Sequence, residues 1–344
     1  MTRLLVVFAL NVMLSGCATV GYYFQAVEGQ MQIWHRSRPI SQVIEDSQTP
    51  EKVRERLALV LRLRDFASAQ LGLPDNGSYR KYADLERPFV AWNVFATGEF
   101  SVAPKEWCFP IAGCVAYRGY FSQAGAEQFG DELRRDGLDV FVAGIPAYST
   151  LGWFDDPVLN TVVRYPDAQL AQLIFHELAH QVVYVSGDTV FNESFAVAVE
   201  LEGVDRWLAR DGDAAKRSAF DLAEQRKGAF IGLVLKHRDR LKVLYAGSAS
   251  DAEKRQQKAE AFTAMKAEYQ TLKSSWAGYA GYDRFFATEL NNAHLVPVAT
   301  YSELVPGFRR LLSENGGDFK RFYAAVKEIG KLPKEQRQAK LKAD

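Results

Sequence analysis

The chain has 344 residues, 48% of them hydrophobic and 12% aromatic, and its 42 Lys and Arg residues balance 42 Asp and Glu at a formal net charge of zero. That apolar content is ample for a full-sized core and excludes global disorder. Balanced charge, with no long basic run before the C-terminal tail, excludes nucleic-acid binding, whose affinity rests on clustered Lys and Arg.

The first residues read Met1-Thr-Arg3, an apolar run from Leu4 to Leu14, then Ser15-Gly16-Cys17. A positive charge, an apolar core and small residues, in that order, make an export signal over residues 1–16. The run is shorter than the roughly 20 residues a transmembrane helix needs. Its ending resembles the bacterial lipobox, in which cleavage leaves the cysteine as an acylated N-terminus, so Cys17 is the expected lipidation site. Ala18 in the next position permits sorting to the outer membrane of a Gram-negative cell, on its periplasmic face.

Apolar positions recur every three or four residues from Tyr22 to about Asp84, which predicts helices. Short aromatic and β-branched runs follow at Phe89–Phe95, Val115–Phe121 and Asp139–Val142, which predicts strands. Between the last two, Ala124–Asp136 reads as a helix ending at Gly137. Cys108 and Cys114 bracket a Pro/Gly turn, and in an oxidising compartment they are expected to form a disulfide. Thr189–Ala209 reads as a helix. Ala214–Ser275 reads as a helical hairpin broken at Ala246–Ser250, whose charged faces suit a solvated surface better than a lid. The basic tail from Lys331 is expected to be a frayed, solvated end.

The chemistry is carried by Phe175-His176-Glu177-Leu178-Ala179-His180-Gln181, an HExxH in an otherwise apolar helical segment. Asp167 is its expected N-cap, and its expected end lies near Ser186-Gly187-Asp188. Residues four apart share a helix face, so His176 and His180 can present two imidazoles to one metal. Glu177, rotated by about 100°, can reach a water held there. Catalytic zinc takes three protein ligands and keeps a fourth position open. Zn2+ is therefore the expected cofactor, with Glu177 as general base.

Downstream, Asn192-Glu193-Ser194-Phe195-Ala196 resembles the segment that supplies the third, glutamate ligand in gluzincins such as thermolysin and the zinc aminopeptidases. The resemblance implies Glu193 as third ligand. Glu200, one heptad on, competes for that role and is otherwise a carboxylate orienting a histidine. The lipobox, the Gly144–Phe154 segment, HELAHQ, NESFA, Asn291-Asn292-Ala293 and Tyr301-x-x-x-Val305-Pro306-x-Phe308 together resemble a bacterial family of predicted zinc aminopeptidase lipoproteins. Gluzincins commonly add a Tyr or His as oxyanion donor from beyond the second helix, which points here to Tyr301 first and His294 second.

The resulting expectation is an α+β, mostly helical, gluzincin-like fold with a small sheet packed on the HExxH helix. One metallopeptidase unit is expected over 17–344, divided into a helical region 17–85, sheet and active-site helices 86–210, and a helical region 211–344. The strand Val140–Gly144 is expected to align an extended peptide by its edge, with Tyr148 and Ser149 near its path. Expected partners are a peptide or protein substrate and the membrane. No Gly-Ala-Met-Glu-Asn motif is present to hold a free amine. Aminopeptidase, envelope endopeptidase and non-catalytic zinc-binding lipoprotein therefore stand as three readings, the first preferred.

Overall fold

The computed structural model describes residues 21–109, 113–147, 149–300 and 304–342. Cys17, Tyr148 and Tyr301 lie outside the described residues. Helix α1 occupies 21–36 and runs directly into strand β1 (Ser37–Pro39) and helix α2 (Ile40–Glu45). Pro50 then sets up helix α3 (Glu51–Leu71). The region expected to be helical thus also contains strands. β1 pairs antiparallel with β2 (Lys81–Ala83), which pairs parallel with β8 (Val158–Leu159). Runs of two or three residues show no period of their own, so partners distant in sequence define them.

The central sheet has the order β6-β3-β7, with β3 (Ala91–Thr97) antiparallel to both β6 (Arg118–Tyr120) and β7 (Asp139–Ile145). Every β3 residue is buried because both faces are covered. Trp92, Val94 and Ala96 pack with Val140 and with Ala126 and Leu133 of helix α4 (Gln123–Arg135). On the opposite face Phe95 and Phe141 meet Ala293 and Val296 of helix α10 (Asn292–Thr300). The hairpin β4 (Trp107–Phe109) and β5 (Gly113–Val115) sets Cys108 opposite Cys114, and the two form a disulfide.

Helix α5 (Asp167–His180) and helix α6 (Thr189–Asp211) pack side by side above α3 in the main core. Gly203 makes that approach possible: a Cβ there would lie 2.7 Å from Phe175 and 2.8 Å from Leu71. Helices α7 (Ala214–Ala246) and α8 (Asp251–Ser275) form the expected hairpin, with Ser250 and Glu253 closing a capping box at the start of α8. With α9 (Asp283–Phe286) they build a second core around Phe230, Val234, Met265 and Tyr269. Helices α11 (Val305–Glu314), α12 (Phe319–Gly330) and α13 (Lys334–Lys342) complete the main core, where Phe308 and Phe322 pack on Phe195 of α6. The architecture is α+β and mostly helical. Among the described residues no helix is long and apolar enough to cross a membrane.

Two expectations about ends are corrected. The basic tail is not a frayed end over 334–342: Leu341 is buried, and Arg337 bonds Asp188 at 2.9 and 2.8 Å with only 8% of its surface exposed. Asp167 is the first residue of α5, not its cap. Pro166 holds the cap position without a side-chain bond, and Asp167 pairs instead with Arg56 and Lys216.

Candidate metal centre

Helix α5 ends at His180, several residues before the expected stop. The reason is tertiary. The Gln181 side chain is held by Asn76 at 2.7 Å and Ser78 at 3.1 Å, while the Asn192 amide bonds both backbone groups of Val185 at 2.8 Å. These bonds replace helical ones and draw the connection tight. Asp188 then caps α6 by accepting from the Phe191 N–H, which places Glu193 in the first turns of α6 against the end of α5.

Three side-chain atoms converge there. His176 Nε2 lies 3.1 Å from His180 Nε2 and 3.2 Å from Glu193 Oε2, and the third side of the triangle is 3.7 Å. Donors bound tetrahedrally at about 2.0–2.2 Å from zinc stand roughly 3.3–3.6 Å apart, so the triangle has about the size of a zinc coordination face. Glu200 sits behind it, its Oε2 at 2.8 Å from His176 Nδ1, and is steadied by Gln172 and Lys227. A carboxylate in that place takes the Nδ1–H and turns the Nε2 lone pair towards His180 and Glu193. Three acceptors aimed at one point repel each other unless a cation or a proton lies between them. Among the described residues His176, His180 and Glu193 are the group suited to a metal ion.

The electrostatics agree. Burial alone would depress the His176 pKa, but hydrogen bonds to Glu193 and Glu200 and their charges carry it well above its ordinary value. For Glu193 burial is likewise the opposing cause, and the charges and bonds of His180 and His176 hold its carboxyl well below the usual range. Proton and metal thus compete for one negative pocket. Glu177 behaves differently: burial pushes its pKa up, against the lowering charges of His176 and His180.

All four of His176, Glu177, His180 and Glu193 open onto a cleft of roughly 370 Å³. Its walls come from the sheet face through Ala91 and Asn93, from Phe109 and Val115 of the disulfide hairpin, and from Tyr22 and Ala26 of α1. Ser149 and Leu151 line it as well, in a loop held by Asp156, whose carboxylate accepts from the Thr150 N–H and hydroxyl at 2.9 Å. Burial pushes the Asp156 pKa up to about 6.

Two expectations about the cleft are revised. β7 is an edge strand, but only its last residue, Ile145, lines the cleft, and its opposite end is engaged by Lys258 and Asn291. His294 lies outside the cleft lining. Its ring stacks on Phe141 with centroids 4.2 Å apart, and its nitrogens lie 3.2 Å from the Asn291 N–H and 3.4 Å from the Thr288 hydroxyl. Its side chain is satisfied within its own turn.

Burial drives the His294 pKa down to about 4. The folded value therefore lies below the unfolded one near 6.5, so stability from the neutral ring is complete above about pH 6.5 and is lost as pH falls towards 4. At 1.36 kcal/mol per unit the loss approaches about 3 kcal/mol. Urea unfolding of wild type and His294→Gln at pH 7 and pH 4.5 should show it as a pH-dependent gap. An unchanged gap would mean that the ring titrates normally.

Two cleft residues escaped the sequence reading. Tyr184, four residues after His180, and Tyr117 line the cleft, and both phenols feel the Glu193 charge on top of a burial that raises their pKa. The spacing His176, His180, Tyr184 was a usable signal for the first. Tyr117 enters from a distant strand connection and carries none.

No curated protein and no solved structure matches the chain. A family model does, over residues 21–341, a span that takes in the cleft, helices α5 and α6 and all but the last residue of the C-terminal helices, and the chain belongs to that family, described as "Putative aminopeptidase".

Proposed function

We propose that the chain is a zinc-dependent peptidase of the gluzincin type, acting first as an aminopeptidase. The observation that carries this reading is the triangle of His176, His180 and Glu193 with Glu177 beside it in one cleft. Zinc held by those three side chains would supply a Lewis acid and water of lowered pKa. Glu177 takes the water proton and returns it to the leaving amine, a role suited by the upward shift of its pKa. Glu200 keeps the His176 ring oriented. Tyr301 stays the first choice of donor to a developing oxyanion, and Tyr22, Tyr117 and Tyr184 are phenols on the cleft wall that offer alternatives.

The cleft lining favours a second reading in one respect. Among the described residues its carboxylates are Glu177 and Glu193, both committed, and no third one lines it to hold a substrate's free amine. An endopeptidase needs none. Amino-acid anilides and N-blocked peptides assayed side by side decide between the two. The aminopeptidase reading expects cleavage of the anilide with little of the blocked peptide, and the reverse pattern makes the protein an endopeptidase. Bound zinc without either activity would leave a binding lipoprotein.

We also propose that Cys17 carries acyl chains that anchor the protein in the cell envelope, on the periplasmic face of the outer membrane. The sequence ending Leu14-Ser15-Gly16-Cys17 supports it.

A further inference from the structure

Helix α1 presents two apolar stripes. Tyr22, Ala26, Gly29 and Ile33 face the protein: the first two line the cleft, Ile33 is 1% exposed, and a Cβ on Gly29 would fall 2.1 Å from Phe121. Roughly 140° around the helix, by its 100° per residue, lies a second stripe of Tyr23, Phe24, Val27, Met31 and Trp34. Their exposures run from 41% to 70%. Glu28, Gln32 and His35, also exposed, flank that stripe on its far side. The stripe continues onto a second segment, because Trp34 meets Phe154 edge-on at 4.6 Å, and Phe154 and its neighbour Trp153 are 46% and 67% exposed.

Seven of the ten large apolar side chains exposed among the described residues therefore gather in one patch. Scattered exposed apolar residues need no explanation, but a contiguous patch of Trp, Phe, Tyr, Met and Val does.

We infer that this patch docks α1 flat onto a phospholipid bilayer. The inference rests on the lipid anchoring proposed above and not on the peptidase reading. Three residues, 18–20, separate Cys17 from α1, which is at most about 14 Å of extended chain. An acyl-anchored Cys17 therefore holds the start of α1 beside the lipid surface, so the patch nearest the anchor meets lipid before any other partner. The composition suits interfacial depth: Trp34, Trp153 and Tyr23 have amphipathic rings of the kind found at headgroup level, while Phe24, Val27 and Met31 enter the acyl boundary. Acyl chains on Cys17 hold one point of the protein at the membrane and leave its tilt open, and a second contact of this kind fixes the orientation. Tyr22 and Ala26 line the cleft on the other side of the same helix, so docking holds the cleft about one helix diameter, roughly 10 Å, from the membrane. The substrates reached most readily are then peptide segments lying at the bilayer surface.

The test uses the full acylated chain with vesicles of phosphatidylethanolamine and phosphatidylglycerol, with or without bromine on the acyl chains. Bromolipid is expected to quench part of the tryptophan emission. Trp34→Phe/Trp153→Phe should remove that quenched part, leaving Trp92 and Trp207, which are buried, and Trp107 and Trp276, which are half-buried and lie outside the patch. Phe24→Asp/Val27→Asp should abolish the quenching while cleavage of a soluble peptide persists. Vesicle-bound protein whose tryptophans are not quenched would overturn the inference, leaving a tether without docking. So would a dimer in vesicle-free solution that Phe24→Asp/Val27→Asp dissolves, if quenching is absent, because the patch then belongs to a second copy. Acylation of Cys17 is read separately by mass. Quenching without acylation keeps the docking face and removes the anchor, whereas an unacylated chain that shows no quenching loses both.

Discussion

Glu177→Gln is expected to leave zinc content unchanged and to lower kcat on the order of 10²–10⁴-fold, the range general acid–base catalysis contributes. Gln matches Glu in shape, and Glu177 lies outside the His176, His180 and Glu193 triangle, so the ligands lose nothing. What disappears is a group able to take a proton and give it back. Substrate contacts are kept, so kcat and kcat/KM should fall together with KM nearly constant. A variant that kept its activity would remove Glu177 from the chemistry. One that lost its metal would make Glu177 a ligand.

The second large effect separates Glu193 from Glu200. Both carboxylates touch the same ring, Glu193 at Nε2 and Glu200 at Nδ1. Glu200→Ala removes an orienting partner, which typically costs about 10–100-fold in metal affinity. Glu193→Ala removes a ligand and should cost more than that, with activity lost at ordinary zinc concentrations. It also leaves His176 and His180 facing each other at 3.1 Å without the carboxylate between them, so the metal-free form should lose stability too. Competition titrations against a chromophoric zinc chelator give both affinities. If Glu200→Ala proves the worse variant, Glu200 is the ligand and Glu193 the support.

The parts of the site that sequence revealed are those written in local geometry. The four-residue step from His176 to His180 is helix periodicity, and Glu193 stands close enough in the chain for a motif to carry it. Helix α4 was legible to within a residue because Gly137 punctuates its end, and the structure adds Ser122 as its N-cap. Other features depend on contacts that no window contains. Asp167 looks like a cap, yet Arg56 and Lys216, from α3 and α7, determine what it does. The last residues look like a solvated basic tail, yet Arg337 finds Asp188 across the fold. His294 illustrates a different limit: its residue type suggested chemistry, and only the Asn291 and Phe141 contacts identify it as a satisfied core histidine. The cleft walls belong to the same class, since α1, the disulfide hairpin and Tyr117 reach the metal centre only through tertiary packing.

The central claim is that His176, His180 and Glu193 bind one zinc ion. The most direct test is elemental analysis of the purified, metal-replete protein, joined to X-ray absorption at the zinc edge. The account predicts about one zinc per chain, with two imidazole nitrogens and carboxylate oxygen at about 2.0–2.2 Å. Absence of zinc under those conditions, or a first shell containing sulfur, would contradict it.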